Sequence, residues 1–200
     1  LDIAFKELPK HYDFFLPWAG MEKTQVQNEK KADRDAAEKM GRLYDIILKE
    51  NEIKNEQSRQ SLNIFLSRLL FCFFAEDTEI FEDSLFTNSI ASHTLDDGSD
   101  LESYFQKLFK VLNLEERSDS PNYLQKFPYV NGGLFAEEQP IPKLSAQARR
   151  IIIECGSLNW KEINPDIFGS MMQAVVHADQ RSSLGMHYTS VVNIMKVIKP

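Results

Sequence analysis

IFLSRLLFCFFA, residues 64–75, is the stretch whose reading decides the fold. Only Ser67 and Arg68 interrupt its apolar side chains. It carries a charge and is too short for a bilayer, which takes roughly 20 residues. A helix that is apolar nearly all round belongs at the centre of a bundle. The stretch therefore predicts a core helix from about Ser58 to Glu76 and a mainly α fold, a helical bundle-like domain. An Arg amid Leu and Phe must snorkel or find a partner, because an unpaired buried charge is very costly. Glu76 and Asp77, two turns on, are its expected partners, and the role is structural.

Upstream, Asp35 followed by Glu38 resembles a capping arrangement, and Ala36, Met40, Leu43, Tyr44 and Ile47 recur at helical spacing. Before them, HYDFFLPWAG and MEKTQVQNEK read as an irregular docking segment and a linker, broken by Pro17 and Gly20. Downstream, FAEDTEIFEDSLF suggests a turn and a short helix, followed by a polar break at HTLDDGSD. Ser99 with Glu102 reads as a capping box opening a helix that carries Leu101, Tyr104, Phe105, Leu108, Phe109 and Leu112. ERSDSPN is a loop. KFPYVNGGLFAEE has aromatic and β-branched residues around Asn131-Gly132-Gly133, the pattern of a hairpin or tight turn and the one expected strand pair. Ser145 is placed to cap a helix through Ile153. Asn164-Pro165 starts another, to about Val176, because Pro suits the first helical position. HADQRSSLG then links to a last helix. The expected units are a connector over 1–30, a helical domain over 31–176, and a linker with one further helix over 177–200.

Composition narrows the function. With 42% hydrophobic and 26% charged residues the chain is ordinary globular protein, and its formal charge of -7 argues against a freestanding DNA-binding module. The basic spots Lys30, Lys31 and Arg34, and Arg149 with Arg150, read as solvated helix faces. Cys72 and Cys155 lie far apart, and Cys72 reads as a small buried hydrophobe, so a reducing cytoplasm fits. The acidic set Glu76, Asp77, Glu79, Glu82 and Asp83 lacks a second cluster of its kind and reads as an exposed turn rather than a cation site. Asp96, Asp97, Gly98 and Asp100 have the wrong spacing for a calcium loop. Glu29 with Lys31 and Glu52 with Lys54 fall in helical or linker sequence, not on the adjacent strands of a nuclease core. His11, His93, His177 and His187 lack ligand spacing, and Gly132-Gly133 lacks the Lys-Ser/Thr of a phosphate loop. No catalytic residue and no metal ligand is assigned.

LGMHYTSVVNIMKVIKP, 184–200, has a different character. Thr189 or Ser190 can cap a helix whose apolar face, Val191, Val192, Ile194, Met195, Val197 and Ile198, must be buried against another element. The expectation is an internal piece of a longer polypeptide. A hydroxyl residue at a helix start leaves orphan N–H groups suited to an anion, which makes Tyr188, Thr189 and Ser190 the candidate binding residues.

Four stretches together carry a resemblance: FLSRLLFCFFAEDTEIF (65–81), YVNGGLF (129–135), WKEINPDIFGSMMQAV (160–175) and RSSLGMHYTSVVNIMKVI (181–198). In that order they resemble the MmeI-like family of fused type II restriction–modification enzymes and related adenine-specific DNA methyltransferases. The resemblance runs from about Asp33 to Pro200. It implies a helical spacer joined to the start of a methyltransferase domain, with S-adenosylmethionine as the parent's cofactor. It further implies flanking nuclease and methyltransferase domains, double-stranded DNA bound through those other domains, and no membrane. Tyr188, Thr189 and Ser190 look like the motif that touches the methionine part of the cofactor, with Ser190 standing where many such enzymes have Pro. The cofactor loop and the Asn-Pro-Pro-aromatic motif are expected beyond Pro200; Asn164-Pro165, followed by Asp166-Ile167, reads as a helix start. The rivals are a helical protein-interaction module and the N-terminal region of a multi-subunit modification methyltransferase. The fragment alone is expected to be inactive.

Overall fold

The computed structural model describes residues 31–130 and 132–163. The expected connector over 1–30, the helix from Asn164 to Val176 and everything from 177 to 200 lie outside the described residues. Within them the chain forms α1 (Lys31–Glu50), α2 (Glu56–Asp77), α3 (Leu85–His93), α4 (Leu101–Leu112), the short α5 (Asn122–Gln125) and α6 (Ala146–Gly156), with no strand. The mainly α reading holds.

α2 is the core helix. It starts two residues before Ser58, because Asn55 forms the capping box: its side chain accepts from Ser58 N at 2.8 Å, and its own N–H donates to Ser58 Oγ at 3.3 Å. Leu62, Phe65, Leu66, Leu69, Leu70, Cys72, Phe73 and Ala75 are all buried, covering more than half of the helix surface, while Asn63, Ile64, Ser67, Phe71 and Phe74 on the other side are half-buried. Rings then join it to its neighbours. Phe65 meets Phe105 of α4 edge-on at 5.3 Å, and Phe73 meets Phe86 of α3 at 5.4 Å. Such pairs add about 0.5–1.5 kcal/mol each beyond buried area.

α1 lies antiparallel to α6. Lys39 Nζ sits 2.9 Å from Glu154 Oε2, while Asn51 at the other end brackets Lys143, accepting from its N–H at 2.9 Å and donating to its carbonyl at 3.0 Å. Ala36, Met40, Leu43 and Ile47 pack inward on α1, as do Ala148, Ile151, Ile152 and Cys155 on α6. Ser145 caps α6 through Ala148 N, as its sequence suggested.

Three expectations need correction, and one pair of alternatives is decided. α1 begins at Lys31, so Asp35 and Glu38 lie within the helix rather than at its start. Ser99 does not cap α4: its N–H and hydroxyl both donate to Asp97 Oδ1, and Asp100 occupies the N-cap position while its carboxylate accepts from Leu95 N. The hydroxyl that a capping box needs is already committed to the turn. Around Gly132-Gly133 the structure takes the tight-turn alternative, with turns over 132–137 and no hairpin among the described residues, because the backbone here is satisfied elsewhere. Val130 N donates to Leu112 O at 2.8 Å, and Arg68 takes the carbonyls of Leu134 and Glu137. Arg68, finally, does not pair with Glu76 or Asp77.

Candidate functional site

Two features of the helical body bear on function: the anchor beneath its long connection, and the end at which the chain enters and leaves. Arg68 builds the first. Almost fully buried, it donates from Nε to Leu134 O at 2.9 Å and from an Nη to Glu137 O at 2.6 Å. Its guanidinium lies over the rings of Phe109 and Phe135, 5.2 and 5.5 Å from their centroids. Carbonyls held in a fork suit guanidinium geometry as well as a carboxylate does, and two aromatic faces supply the remaining stabilisation. Arg68 thus nails the segment 134–141 to α2. Above it opens a cleft of about 600 Å³ between α4 and that segment, rimmed by Lys107, Lys110 and Glu138.

The second feature lies at the far end of α2. Trp160 is wholly buried, stacked on Phe73 at 5.2 Å with the planes 7° apart. Its indole N–H donates to Cys155 O, and its backbone N–H donates to the carboxylate of Asp77 at 2.5 Å. Glu76 beside it accepts from the backbone and hydroxyl of Thr87 at 2.9 and 2.5 Å, tying α2 to α3. Burial raises its carboxyl above the usual range, against the pull of those two bonds. Asp77 and Glu76 therefore serve packing, and Glu79 reaches Lys161 at 3.5 Å.

Among the described residues no group of His, Cys, Asp or Glu is placed to hold a metal ion, and no helix is long and apolar enough to cross a membrane. Cys72 and Cys155 are buried, which pushes both thiols up, Cys155 to about 12. A thiol so shielded is inert. The predicted binding residues Tyr188, Thr189 and Ser190 lie outside the described residues. Sequence reading missed Asn51, Asn55 and Trp160 as anchors. Asn55 three residues before Ser58 was a legible cap signal, whereas nothing near Asn51 announced a partner 92 residues away.

The comparisons follow this anatomy. Two family models match in order: MmeI, N-terminal domain, over residues 1–50, and MmeI, helicase spacer domain, over 60–135. The chain belongs to the MmeI family. DNA methyltransferase A of Bacillus subtilis (strain 168) is 56% identical over 201 residues, covering 100% of this chain and 23% of that protein. A solved structure of the type IIL restriction–modification enzyme MmeI in complex with DNA matches with a TM-score of 0.69 and 43% identity. That match covers 83% of this chain and 22% of the MmeI chain. The chain thus spans under a quarter of each relative. The spacer model ends at 135, yet the body it belongs to continues through Trp160, and α1 from the other matched region packs against α6. In this MmeI-family chain the two matched regions share one core.

Proposed function

We propose that this chain is the helical spacer region, with the first part of the methyltransferase domain, of an S-adenosylmethionine-dependent, site-specific DNA adenine-N6 methyltransferase in a cytoplasmic restriction–modification protein. The observation that carries the reading is the antiparallel clasp of α1 and α6. It brings the chain in at Lys31 and out near Trp160 at one end of a rigid body, as a part that fixes flanking domains should. The 56% identical relative bears the name of a DNA methyltransferase, and the structural relative was solved with DNA.

On this reading 31–176 is the spacer, 1–30 connects it to an upstream nuclease domain, and 177–200 opens the methyltransferase domain. S-adenosylmethionine supplies the methyl group. Tyr188, Thr189 and Ser190 would help hold its methionine part, with N–H groups at a helix start facing a carboxylate. Duplex DNA would be bound chiefly by other domains, and the target adenine flipped for methylation.

The test is transfer of labelled methyl from S-adenosylmethionine to adenine N6 in duplex DNA by the full-length protein. Transfer by the full-length protein and none by the 200-residue chain is expected. Thr189→Val in the full-length protein should weaken cofactor binding in calorimetric titration while leaving thermal melting unchanged. Absence of transfer by the intact protein would overturn the reading. Micromolar cofactor binding by the isolated chain would overturn the placement of the site.

A further inference from the structure

The core helix α2 is closed on all but one side. Its buried residues leave an arc of about 100° at 3.6 residues per turn, on which Ile64, Ser67, Phe71 and Phe74 recur and stay half-buried. The arc ends in exposed residues, Gln60 before it and Thr78 after it. Aromatic rings stand along both edges. Phe71 meets Phe135 edge-on at 5.4 Å on one side, and Phe74 meets Trp160 at 5.3 Å, planes 63° apart, on the other. The arc thus floors a shallow apolar groove in which three large side chains show part of their surface.

The chain itself delivers a cover to this groove. Trp160 brings it to the Phe74 end, and Ile163, 2% exposed, is still held there, its N–H donating to Trp160 O at 3.3 Å. Asn164 follows at once. Asn at the N-cap, Pro165 at the first helical position and Asp166 in the first turn all favour a helix start. Ile167, Phe168, Met171, Met172 and Val175 then fall on one face by helical spacing, and Gly169, Ser170 and Gln173 on the other. A helix with such a stripe has to bury it. From Thr78 the groove runs only back toward the start of α2, so a helix lying in it is antiparallel to α2. At 1.5 Å per residue 164–176 spans ~18 Å and reaches from Thr78 to about Ser67. The other apolar stretch, HYDFFLPWAG at 11–20, is separated from the body by the polar residues 21–30 and joins it on α1, which packs against α6.

We propose that the segment 164–176 docks as a helix in this groove, antiparallel to α2, with Phe168 at the Phe74 end and Val175 near Ser67. Ser67 is the small residue on the arc and leaves room for a second helix to approach closely. The contact continues the one that Trp160 already makes with Phe74. This goes beyond the methyltransferase reading and stands whether or not the parent transfers methyl groups. Its consequence for that reading is a rigid hand-over. Residues 177–200 then start from a helix fixed to the core, part-way back along α2, rather than from a free tether at Ile163.

Hydrogen–deuterium exchange of the full-length protein, read by mass spectrometry, tests it. The amides of 164–176 should exchange slowly in wild type. Ser67→Glu, a charge placed in the groove, should speed them on the order of tenfold or more while α4 and α6 keep their protection. Phe168→Glu should act alike from the segment's own apolar face, and Gln173→Glu, on its polar face, should have no effect. Fast exchange of 164–176 in wild type would overturn the proposal. So would deprotection by Phe168→Glu without any by Ser67→Glu, which would place the helix elsewhere. A Ser67→Glu effect confined to 11–20 or to a flanking domain would give the groove to that occupant instead. Introduced cysteines read the direction and need no charge in the groove. Ser67→Cys with Val175→Cys should be joined by a short bismaleimide more readily than Ser67→Cys with Ile167→Cys. Equal or reversed yields would overturn the antiparallel docking.

Discussion

Arg68 shows how far a single residue could be read. Its burial and its need for a partner follow from the apolar run around it, but the partner could not be read. The nearest carboxylates in sequence were the reasonable choice, whereas the acceptors are carbonyls 66 and 69 residues away. A backbone acceptor leaves no mark on composition, so only the folded chain reveals it. Removing the guanidinium strands two carbonyls and two ring faces. Arg68→Ala should therefore cost about 2–5 kcal/mol, from charged hydrogen bonds of roughly 1.5–3 kcal/mol each. Arg68→Lys, which cannot span both carbonyls, should fall between that variant and wild type in urea denaturation. Equal stability of all three would mean that the head group is solvated.

Glu76 makes the complementary case at the same scale. It is a carboxylate buried without a cation, and burial raises its folded pKa above the unfolded value. Between those two values the folded state holds more protons than the unfolded one. Its contribution to stability is therefore lost as pH rises through that window, starting near the ordinary Glu value. Glu76→Gln keeps one acceptor for Thr87 and cannot ionise. Denaturation midpoints at mildly acidic and at neutral pH should thus converge for the Gln variant relative to wild type. A wild-type pH dependence retained in Glu76→Gln would assign the effect to another group.

At the scale of elements, helices with a sustained period were legible and their junctions were not. α2 and α4 were evident from apolar spacing, and α6 from its spacing and its Ser145 cap, because burying one face is a property of the segment itself. The turn before α4 was misread since Ser99 can serve either a cap or a turn, and Asp97 decides it. That turn also contains Gly98, at φ 75°, packed so closely on α6 that an added Cβ would lie 2.7 Å from the backbone of Ser145. Left-handed geometry alone costs a substituted residue about 1–3 kcal/mol. Gly98→Ala should lose at least that, because the clashing atoms are backbone and cannot swing aside. Gly41, with open space around the same position, gives the contrast: Gly41→Ala on exposed α1 should stabilise by about 0.5–1 kcal/mol. Thermal melts in the opposite order would mean that the turn rests elsewhere than on α6. Within α2, Phe73→Ala should cost about 3–5 kcal/mol, since it removes the partner of both Phe86 and Trp160.

For the whole molecule the decisive contacts join residues about a hundred positions apart, and no local pattern carries such information. Lys39 with Glu154, Asn51 with Lys143 and Asp77 with Trp160 close the described body so that the start of α1 and the end of α6 lie toward one end. A helical body built as a rod would put its first and last described elements a full length apart; this clasp turns them back toward one end. The difference is measurable. Arg34 lies near the start of α1 and Lys161 just after the anchored Trp160, both exposed, while Lys143 is exposed at the opposite end. Cys72 and Cys155 are buried, so spin labels on introduced cysteines meet little background. Labels at Arg34→Cys and Lys143→Cys should lie ~25 Å or more apart, the rise of α1 from Arg34 to Asn51 at 1.5 Å per residue. Labels at Arg34→Cys and Lys161→Cys should be clearly closer. If pulsed dipolar spectroscopy on the full-length protein gave the reverse order, the clasp would be parallel.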